Sequence, residues 1–253
     1  MAKTFAVKLA WDLVNSDWFK QHQEALKTTQ LVVYPAPYRF VGTATLAMCD
    51  YFMAQYNELA IEKADVLPIA EGKIYRTYSY WHDYGHLSVE ERKATISNDD
   101  FYIDREFAKG KILLFLDDIQ VTGSHEQWVQ RMLTKFDMVD FPHLFVYYAG
   151  VEHSEEYPLI PQLEGALNFA DVKCIRDIDH IIKNDGFVFN TRVVKYMLEQ
   201  PYEDFYPFII YQTAAFREQL LHYAYGNAYH KQEKFIANTK VLQQLVHHPK
   251  RHV

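Results

Sequence analysis

The sequence contains little of what marks several large classes of protein. Its 253 residues include only two cysteines, Cys49 and Cys174, which argues against a disulfide framework and favours a cytoplasmic protein. The longest apolar runs fall far short of the roughly 20 residues that cross a bilayer, and residues 1–5 lack a secretory hydrophobic region. A net charge of −7 argues against broad nucleic-acid binding, because phosphate backbones select basic surfaces. An anionic small molecule would therefore have to be held by local backbone amides, a few cations and a metal ion.

What the sequence does contain is a short apolar run that ends in two acids. Residues 112–116 are continuously apolar but too few for a typical helix, and Asp117 and Asp118 follow them directly. A loop with a hydroxyl and a glycine comes next, and a new helix then begins. This order predicts a buried parallel strand that delivers two carboxylates to the carboxyl edge of a sheet, where open α/β folds bind ligands. The loop amides suit a phosphate, so the expected ligand carries both hydroxyls and a phosphate.

The segment Asp117-Asp118-Ile119-Gln120-Val121-Thr122-Gly123-Ser124 resembles the phosphoribosyl pyrophosphate (PRPP) motif of type I phosphoribosyltransferases. The resemblance implies that Asp117 and Asp118 bind the ribose 2′- and 3′-hydroxyls. It assigns the 5′-phosphate to a loop made of Ile119, Gln120, Val121, Thr122, Gly123, Ser124 and His125. Three residues depart from the family pattern: Gln120, Val121 and His125. Of these, the histidine replaces a small hydroxyl residue and can change the contacts of the loop.

Two other classes of protein also place acids after an apolar strand. A Walker B strand requires a partner loop of the form G-x-x-x-x-G-K-[ST], and the sequence has no such segment. A receiver domain carries its acidic pair near the start of the chain, whereas this pair lies near the middle. The phosphoribosyltransferase interpretation is therefore preferred.

A second strand–loop–helix unit precedes the motif. Residues 31–35 are predicted to form a buried strand and residues 44–60 a helix. In the family, the loop at this place binds pyrophosphate, and the resemblance gives that role to Arg39, Gly42 and Thr43. An ordinary turn with a solvated arginine is the alternative.

A long polar segment, residues 75–100, lies between the two units and is rich in tyrosine. Such an insertion between core strands is typical of a lid or binding loop, and the family has a mobile catalytic loop at this place. We take Arg76 as a candidate catalytic cation and Arg92 as a further candidate for pyrophosphate. Lys93 is a third candidate for pyrophosphate, and each of the three alone is better explained as surface charge than as a catalyst.

The alternation of predicted strands and helices from 31 to 151 indicates an α/β fold with a doubly wound, mainly parallel sheet, followed by a mostly helical C-terminal region. We predict three regions along the chain: an N-terminal helical extension or hood at 1–30, a phosphoribosyltransferase-like core at 31–155 and a mainly helical region at 156–253. Further strands are expected at 66–70 and 144–151, and a turn between two C-terminal helices at 201–207.

The resulting hypothesis is a Mg²⁺-dependent phosphoribosyltransferase, a glycosyltransferase (pentosyltransferase) of nucleotide metabolism. It would transfer ribose 5-phosphate from PRPP to an unidentified acceptor and release pyrophosphate. Mg²⁺ usually bridges substrate phosphates, so no metal-binding motif is expected, and Asp117 and Asp118 are the candidate protein ligands. The resemblance alone implies a homodimer.

Two alternatives from other classes remain open. The first is a regulatory sensor that binds PRPP or a nucleotide without transfer, for which Gln120 and His125 are the best support. The second is a catalytically silent interaction module that kept the fold.

Overall fold

The computed structural model describes residues 2–76, 101–151, 172, 174–183 and 186–248. The strands of this part of the chain are β1 (Leu31–Pro35), β2 (Ala70–Glu71), β3 (Ile74–Arg76), β4 (Phe101–Ile103), β5 (Ile112–Gln120) and β6 (His143–Gly150). The helices packed around them are α1 (Ala2–Asn15), α2 (Asp17–Leu26), α3 (Ala44–Ala64), the single turn α4 (Arg105–Ala108) and α5 (Ser124–Lys135). The later helices are α6 (Ile175–Ile182), α7 (Thr191–Glu199), α8 (Tyr202–Ile210), α9 (Ala214–Gly226), a 3₁₀ turn (Tyr229–Lys231) and α10 (Glu233–His247).

The described residues contain a four-stranded sheet with the order β2-β1-β5-β6, and all of its strands are parallel. β1 pairs along its whole length with Ile112–Leu116 of β5. From β1 the chain goes first to β2 on one side and later to β5 on the other, so the strand order reverses between β1 and β5. Open α/β sheets bind ligands at the carboxyl end of such a switch point. The predicted doubly wound parallel sheet is confirmed.

The central strands are buried on both faces because successive residues enter two different cores. Leu31 and Val33 of β1 pack in the core that α1, α2 and α3 form with the sheet. Val32 and Tyr34 pack in the opposite core, which contains α5, β3 and β4. Since no face of β1 meets water, the strand has no polar residue to reveal its orientation. A continuous apolar run is the pattern that this environment requires.

The N-terminal helices belong to the first of these cores. α1 packs mainly against α3, with Ala6 and Ala10 fully buried where the two helices approach each other. The Lys63 ammonium near the end of α3 donates to the Val14 carbonyl at 3.0 Å and so fixes the relative position of the two helix ends.

The strand predicted at 66–70 is wrong in its position, since β2 begins only at Ala70. The backbone groups before it are satisfied elsewhere. The Leu67 N–H donates to the Leu26 carbonyl at 2.9 Å, and the Ile69 N–H donates to the Asn57 side chain at 2.8 Å. Pro68 between them has no N–H for a ladder bond.

The turn predicted at 201–207 is also wrong, because α8 spans most of it. Pro201 precedes the first helical residue, where its missing N–H costs nothing. Pro207 removes one bond from the interior of α8. The helix persists because Phe205, Phe208 and Ile209 are buried in the core of the C-terminal helices.

The chain divides into two compact units. The described residues of the first unit are 2–38, 43–76 and 101–151, which include the sheet and both of its cores. Those of the second unit are 39–42, 172, 174–183 and 186–248, and its core is formed by α6 to α10. In the described parts of both units, no helix is long and apolar enough to cross a membrane.

Gly72 permits a close approach that we expect to limit substitution. A Cβ at this position would lie 2.3 Å from the ring of Tyr34, which is 1% exposed and packs against Phe115. Gly72→Ala should therefore lower the free energy of unfolding by roughly 1–3 kcal/mol, as measured by urea denaturation. Gly150→Ala is the control, since its new Cβ would have no atom closer than 3.9 Å. Equal effects of the two substitutions would contradict this explanation.

Candidate active site

β5 extends further than the sequence indicates, and this changes the setting of the acid pair. The predicted strand ends at Leu116, but the observed strand continues to Gln120 because β6 pairs with it as far as Gly150. The Val151 N–H then donates to the Gln120 carbonyl at 2.8 Å. The two acids therefore lie within the paired part of β5 and not after its end.

The side chains of Asp117 and Asp118 differ in exposure and in contacts. Successive strand residues alternate between the faces of a sheet, so the two carboxylates point to opposite faces. Asp117 is half-buried, and its Oδ1 accepts from the Asp118 N–H at 3.0 Å. Asp118 is exposed, and its Oδ1 accepts from the Ile119 N–H at 2.8 Å.

His125 lies against the first of these acids. Its Nδ1 is 2.6 Å from the Asp117 Oδ2, and its ring stacks on Trp128 with 6.2 Å between the centroids. The distance is short but the alignment is poor, since both ring nitrogens lack a hydrogen bond of proper geometry among the described residues. The contact is therefore close but is not a well-aligned hydrogen bond. The departure from the family pattern at this position thus places an imidazole on the acid predicted to bind ribose.

The predicted phosphate loop leads directly into α5. Gly123 precedes the helix with φ of +69°, a left-handed conformation that glycine adopts without strain, and it provides no side-chain cap. The Thr122 and Ser124 hydroxyls lie 2.6 Å apart. The first turn of the helix therefore presents backbone N–H groups beside two hydroxyls, which is an arrangement that suits an anion.

The structure also explains the unusual Gln120. Its Nε2 donates to the Glu126 carboxylate at 3.2 Å, across the loop. An aliphatic residue at this position would leave Glu126, in the first turn of α5, without this donor. The glutamine thus partly offsets an acid near the predicted phosphate position.

The loop after β1 is closed at its base by hydroxyl groups. The Ala36 N–H donates to the Thr45 Oγ1 at 3.2 Å, and the Thr43 and Thr45 hydroxyls lie 2.7 Å apart. Thr43, predicted to bind pyrophosphate, thus lies at the start of α3, on the carboxyl side of β1.

The middle of the same loop, residues 39–42, is part of the second unit. Its backbone is bonded to Asn227 and to Thr191, and Val41 is buried in the core of the helices. Arg39 and Gly42, both predicted to bind pyrophosphate, lie on either side of this buried position.

Of the three cations predicted near the long polar segment, the structure describes one. Arg76 ends β3, where its N–H donates to the Tyr38 carbonyl at 3.2 Å and its guanidinium lies 5.3 Å from the ring of Phe101. Arg92 and Lys93 lie outside the described residues, as does the lid predicted at 75–100 apart from Tyr75 and Arg76.

Sequence reasoning missed Lys73. Its ammonium lies between two aromatic rings, 4.2 Å from the centroid of Tyr38 and 4.7 Å from that of Tyr75. Burial lowers the pKa of Lys73 from its usual value, and the nearby Glu71 opposes the shift. Burial, reinforced by Asp50, raises the pKa of Glu71. The lysine therefore brings a positive charge to the carboxyl edge of the sheet, beside the loop after β1.

The signal for Lys73 was its position directly after a strand on the same edge as the acid pair. The predicted strand ends only one residue before the observed one, but the ring of Tyr38 that lies against the lysine comes from a distant part of the sequence. With β2 placed at Ala70–Glu71, the lysine follows the strand by two positions.

The doubly wound parallel sheet with this motif at the end of β5 is the architecture of type I phosphoribosyltransferases. The chain belongs to the family described as PRTase ComF-like, whose model matches residues 2–242. The resemblance inferred from the motif is thereby confirmed at the level of the family.

Similar solved structures include a hypoxanthine phosphoribosyltransferase from Staphylococcus aureus in tetragonal and orthorhombic crystals. The chain is 11% identical to the tetragonal form and 9% to the orthorhombic form, with a TM-score of 0.35 in both cases. The matches cover 63% of this chain and 85% and 86% of the respective relatives. No curated protein matches the chain.

Two tyrosines at this edge resist ionisation. Burial raises the pKa of Tyr38 to about 12, with Glu71 as the next contribution. Burial also raises the pKa of Tyr147, with further contributions from Glu126 and Asp117. In both cases the folded protein keeps a proton that the unfolded chain loses above its pKa of about 10.

Stability should therefore decline in alkaline solution. The contribution of Tyr38 and Tyr147 is fully present below about pH 10 and is lost as the pH rises through the folded pKa, about 12 for Tyr38. We expect Tyr38→Phe and Tyr147→Phe each to flatten this decline in urea denaturation between about pH 9 and 12. Tyr211→Phe, which alters a side chain 86% exposed, is the control. If stability declines as steeply in Tyr38→Phe and Tyr147→Phe as in the control, this cause is ruled out.

Proposed function

We propose that the protein is a Mg²⁺-dependent phosphoribosyltransferase that transfers ribose 5-phosphate from PRPP to an acceptor and releases pyrophosphate. The observation that supports it best is the position of the acid pair and the glycine-led start of α5. Both follow the central strand β5 at the switch point of the sheet, where this fold class binds its ligands.

The ribose would be bound by the two acids. The carboxylate of Asp118 is exposed at the edge and can accept hydrogen bonds from ribose hydroxyls. Asp117 already accepts a backbone N–H and contacts His125, so its share in ribose binding depends on the histidine. We therefore assign the larger part of ribose binding to Asp118.

The 5′-phosphate would lie at the start of α5. The backbone N–H groups of the first turn have no intrahelical partner, and the helix dipole adds partial positive charge there. The hydroxyls of Thr122 and Ser124 can donate to phosphate oxygens once they exchange their mutual contact. Ile119, Gln120 and Val121 support the loop, and the Gln120 amide reduces the repulsion from Glu126.

The pyrophosphate would be bound by cations and hydroxyls of the loop after β1 and of its neighbours. Lys73 brings a positive charge next to Tyr38 in this loop, and Arg39 and Thr43 belong to the loop itself. Arg92 remains a candidate from the sequence. Because the chain carries a net charge of −7, such local cations must supply the attraction for an anionic substrate.

The residues present fit Mg²⁺ bound mainly through the substrate. The exposed carboxylate of Asp118 is a hard oxygen donor of the kind that Mg²⁺ prefers, and Asp117 is the second candidate. In the described part of the chain, no cluster of three or more ligating side chains forms a cage. The metal would supply positive charge to the pyrophosphate oxygens.

The chemistry would require little from the protein beyond positioning. The bond between C1 of the ribose and the pyrophosphate oxygen breaks, and the electron pair leaves with the pyrophosphate. C1 acquires oxocarbenium character and then forms a bond with the acceptor nucleophile. Fixing the ribose and stabilising the leaving charge, with Arg76 as a candidate cation, would account for most of the acceleration.

The acid pair provides the first test. Asp118→Asn keeps the shape of the side chain but removes the charge, so PRPP binding in Mg²⁺ should weaken about tenfold or more while the protein stays folded. Calorimetric titration measures the affinity, and circular dichroism checks the fold. Asp140→Asn, an exposed acid before β6 at the opposite edge, should bind PRPP as the wild type does. Equal affinity of Asp118→Asn and wild type would refute the ribose assignment.

Lys73 provides a second test with a matched lysine. Lys73→Met should weaken the binding of inorganic pyrophosphate about tenfold, since one charge-assisted contact is lost. Lys111→Met is the control, because Lys111 also lies over an aromatic ring, that of Phe107, but precedes β5 at the opposite edge. As the pH rises, the affinity of the wild type for pyrophosphate should begin to decrease before pH 10.5 is reached, because the pKa of Lys73 is lowered and the ammonium loses its charge earlier. An equal loss of pyrophosphate affinity in Lys73→Met and Lys111→Met would show that Lys73 does not bind pyrophosphate.

The contact between His125 and Asp117 favours one alternative, a sensor that binds PRPP without transfer. Because His125 contacts Asp117, that carboxylate would bind the ribose less firmly during a transfer reaction. PRPP binding without pyrophosphate release over a panel of heterocyclic bases would support the sensor. Base-dependent release of pyrophosphate would support the transferase.

A further inference from the structure

Asn227 is a buried side chain that binds the centre of the loop after β1. Its Oδ1 accepts hydrogen bonds from the N–H groups of Phe40 at 3.1 Å and of Val41 at 3.0 Å. The side chain is 2% exposed, although it follows the last turn of α9. A buried asparagine that binds two consecutive backbone amides, 187 and 186 positions away in sequence, is not needed to end a helix.

Asn227 is itself held in place. Its Nδ2 donates to the Tyr229 hydroxyl at 2.8 Å, and its backbone N–H donates to the Tyr223 carbonyl at 3.0 Å. A turned amide would bring its Nδ2 donor against the N–H donors of Phe40 and Val41, so the Oδ1 must face the loop. The orientation of the Oδ1 toward the loop is therefore fixed by the core of the second unit.

Two carbonyl groups of residues 39–42 also accept hydrogen bonds. The Thr191 hydroxyl donates to the Val41 carbonyl at 3.0 Å and to the Gly42 carbonyl at 3.1 Å. The Thr191 N–H donates to the Gly42 carbonyl at 2.9 Å. Residues 39–42 are thus held by hydrogen bonds to two of their backbone N–H groups and two of their carbonyls.

The ring of Phe40 completes this attachment. It lies against the backbone of Gly226, where a Cβ would come within 2.1 Å of the ring, and it contacts the imidazole of His222 at 4.8 Å. The absence of a side chain at position 226 lets the phenyl ring lie directly against the backbone there. The segment is therefore fixed by packing as well as by hydrogen bonds.

These contacts have a consequence for ligand binding. The amides of Phe40 and Val41 already have an internal acceptor, so they are not donors for a pyrophosphate. Removing Asn227 from them would leave buried polar groups without partners, which is unfavourable. The loop must then bind the ligand through its remaining groups, with its backbone held in one conformation.

We propose that Asn227 is a positioning residue for the pyrophosphate of PRPP, an inference that rests on the proposed function. It holds the backbone of Phe40 and Val41 so that the loop between β1 and α3 loses little conformational entropy when the pyrophosphate binds. Asn227 thereby contributes to substrate affinity through this loop and without touching the substrate.

The test compares Asn227→Ala with Asn238→Ala. Asn238 is a buried asparagine of the same unit, 4% exposed, whose amide donates to the carbonyls of Leu198 and Gln200 and contacts none of residues 39–42. Each variant is titrated calorimetrically in Mg²⁺ with inorganic pyrophosphate, PRPP and ribose 5-phosphate. The titrations are made at a temperature at which both variants are folded by circular dichroism.

We expect Asn227→Ala to weaken the binding of pyrophosphate and of PRPP about tenfold. The affinity for ribose 5-phosphate should change less than about twofold. Asn238→Ala should lose stability but keep all three affinities within about twofold of the wild type. If Asn227→Ala does not fold, Thr191→Val removes only the hydroxyl that binds the two carbonyls, and it should show the same selective loss on a smaller scale.

Three results would overturn the proposal. The first is an equal loss of ribose 5-phosphate and pyrophosphate binding in Asn227→Ala or Thr191→Val. The second is a pyrophosphate affinity in these variants that equals that of Asn238→Ala. The third is a wild-type protein that binds none of the three ligands, which refutes the proposed function and the role of Asn227 together.

Discussion

The parallel pairing of β1 with β5 is the constraint on which the rest of the structure depends. Five consecutive residues of each strand are matched, and their side chains enter two separate cores. Each buried aliphatic or aromatic side chain contributes roughly 1.5–3 kcal/mol of transfer free energy, so this pairing cannot shift by one residue without exchanging the two cores. The same pairing brings the loop after β1 and the acid pair of β5 to one edge of the sheet.

The unusual residues of the motif are best understood through their partners. Gln120 binds Glu126, and His125 contacts Asp117. Two of the three departures thus involve an acid at the carboxyl edge, where the chain would otherwise concentrate negative charge near a phosphate position. A motif can tolerate changed residues when the change and its compensation lie within one loop and one helix turn.

The loop after β1 shows how a backbone requirement can link distant parts of a chain. Buried N–H and C=O groups need partners, and a short loop cannot supply all of them itself. At residues 39–42 the partners come from Asn227 and Thr191 of the C-terminal helices. Residues 39–42 therefore belong with the C-terminal helices, although the sequence places them between β1 and α3.

The sequence by itself determined the elements that depend on local pattern. The apolar runs at 31–35 and 112–116, the helix after Thr43 and the position of the PRPP-type motif were all predicted, because burial on both faces and helical periodicity are visible within a few residues. The tertiary structure decided what depends on residues far apart. It extended β5 through its pairing with β6, turned 202–210 into a helix by burying its aromatic face, placed Lys73 between two tyrosine rings and attached Phe40 to Asn227. Such contacts have no local signature, since they arise only when packing brings together groups that must satisfy each other's hydrogen bonds and charges.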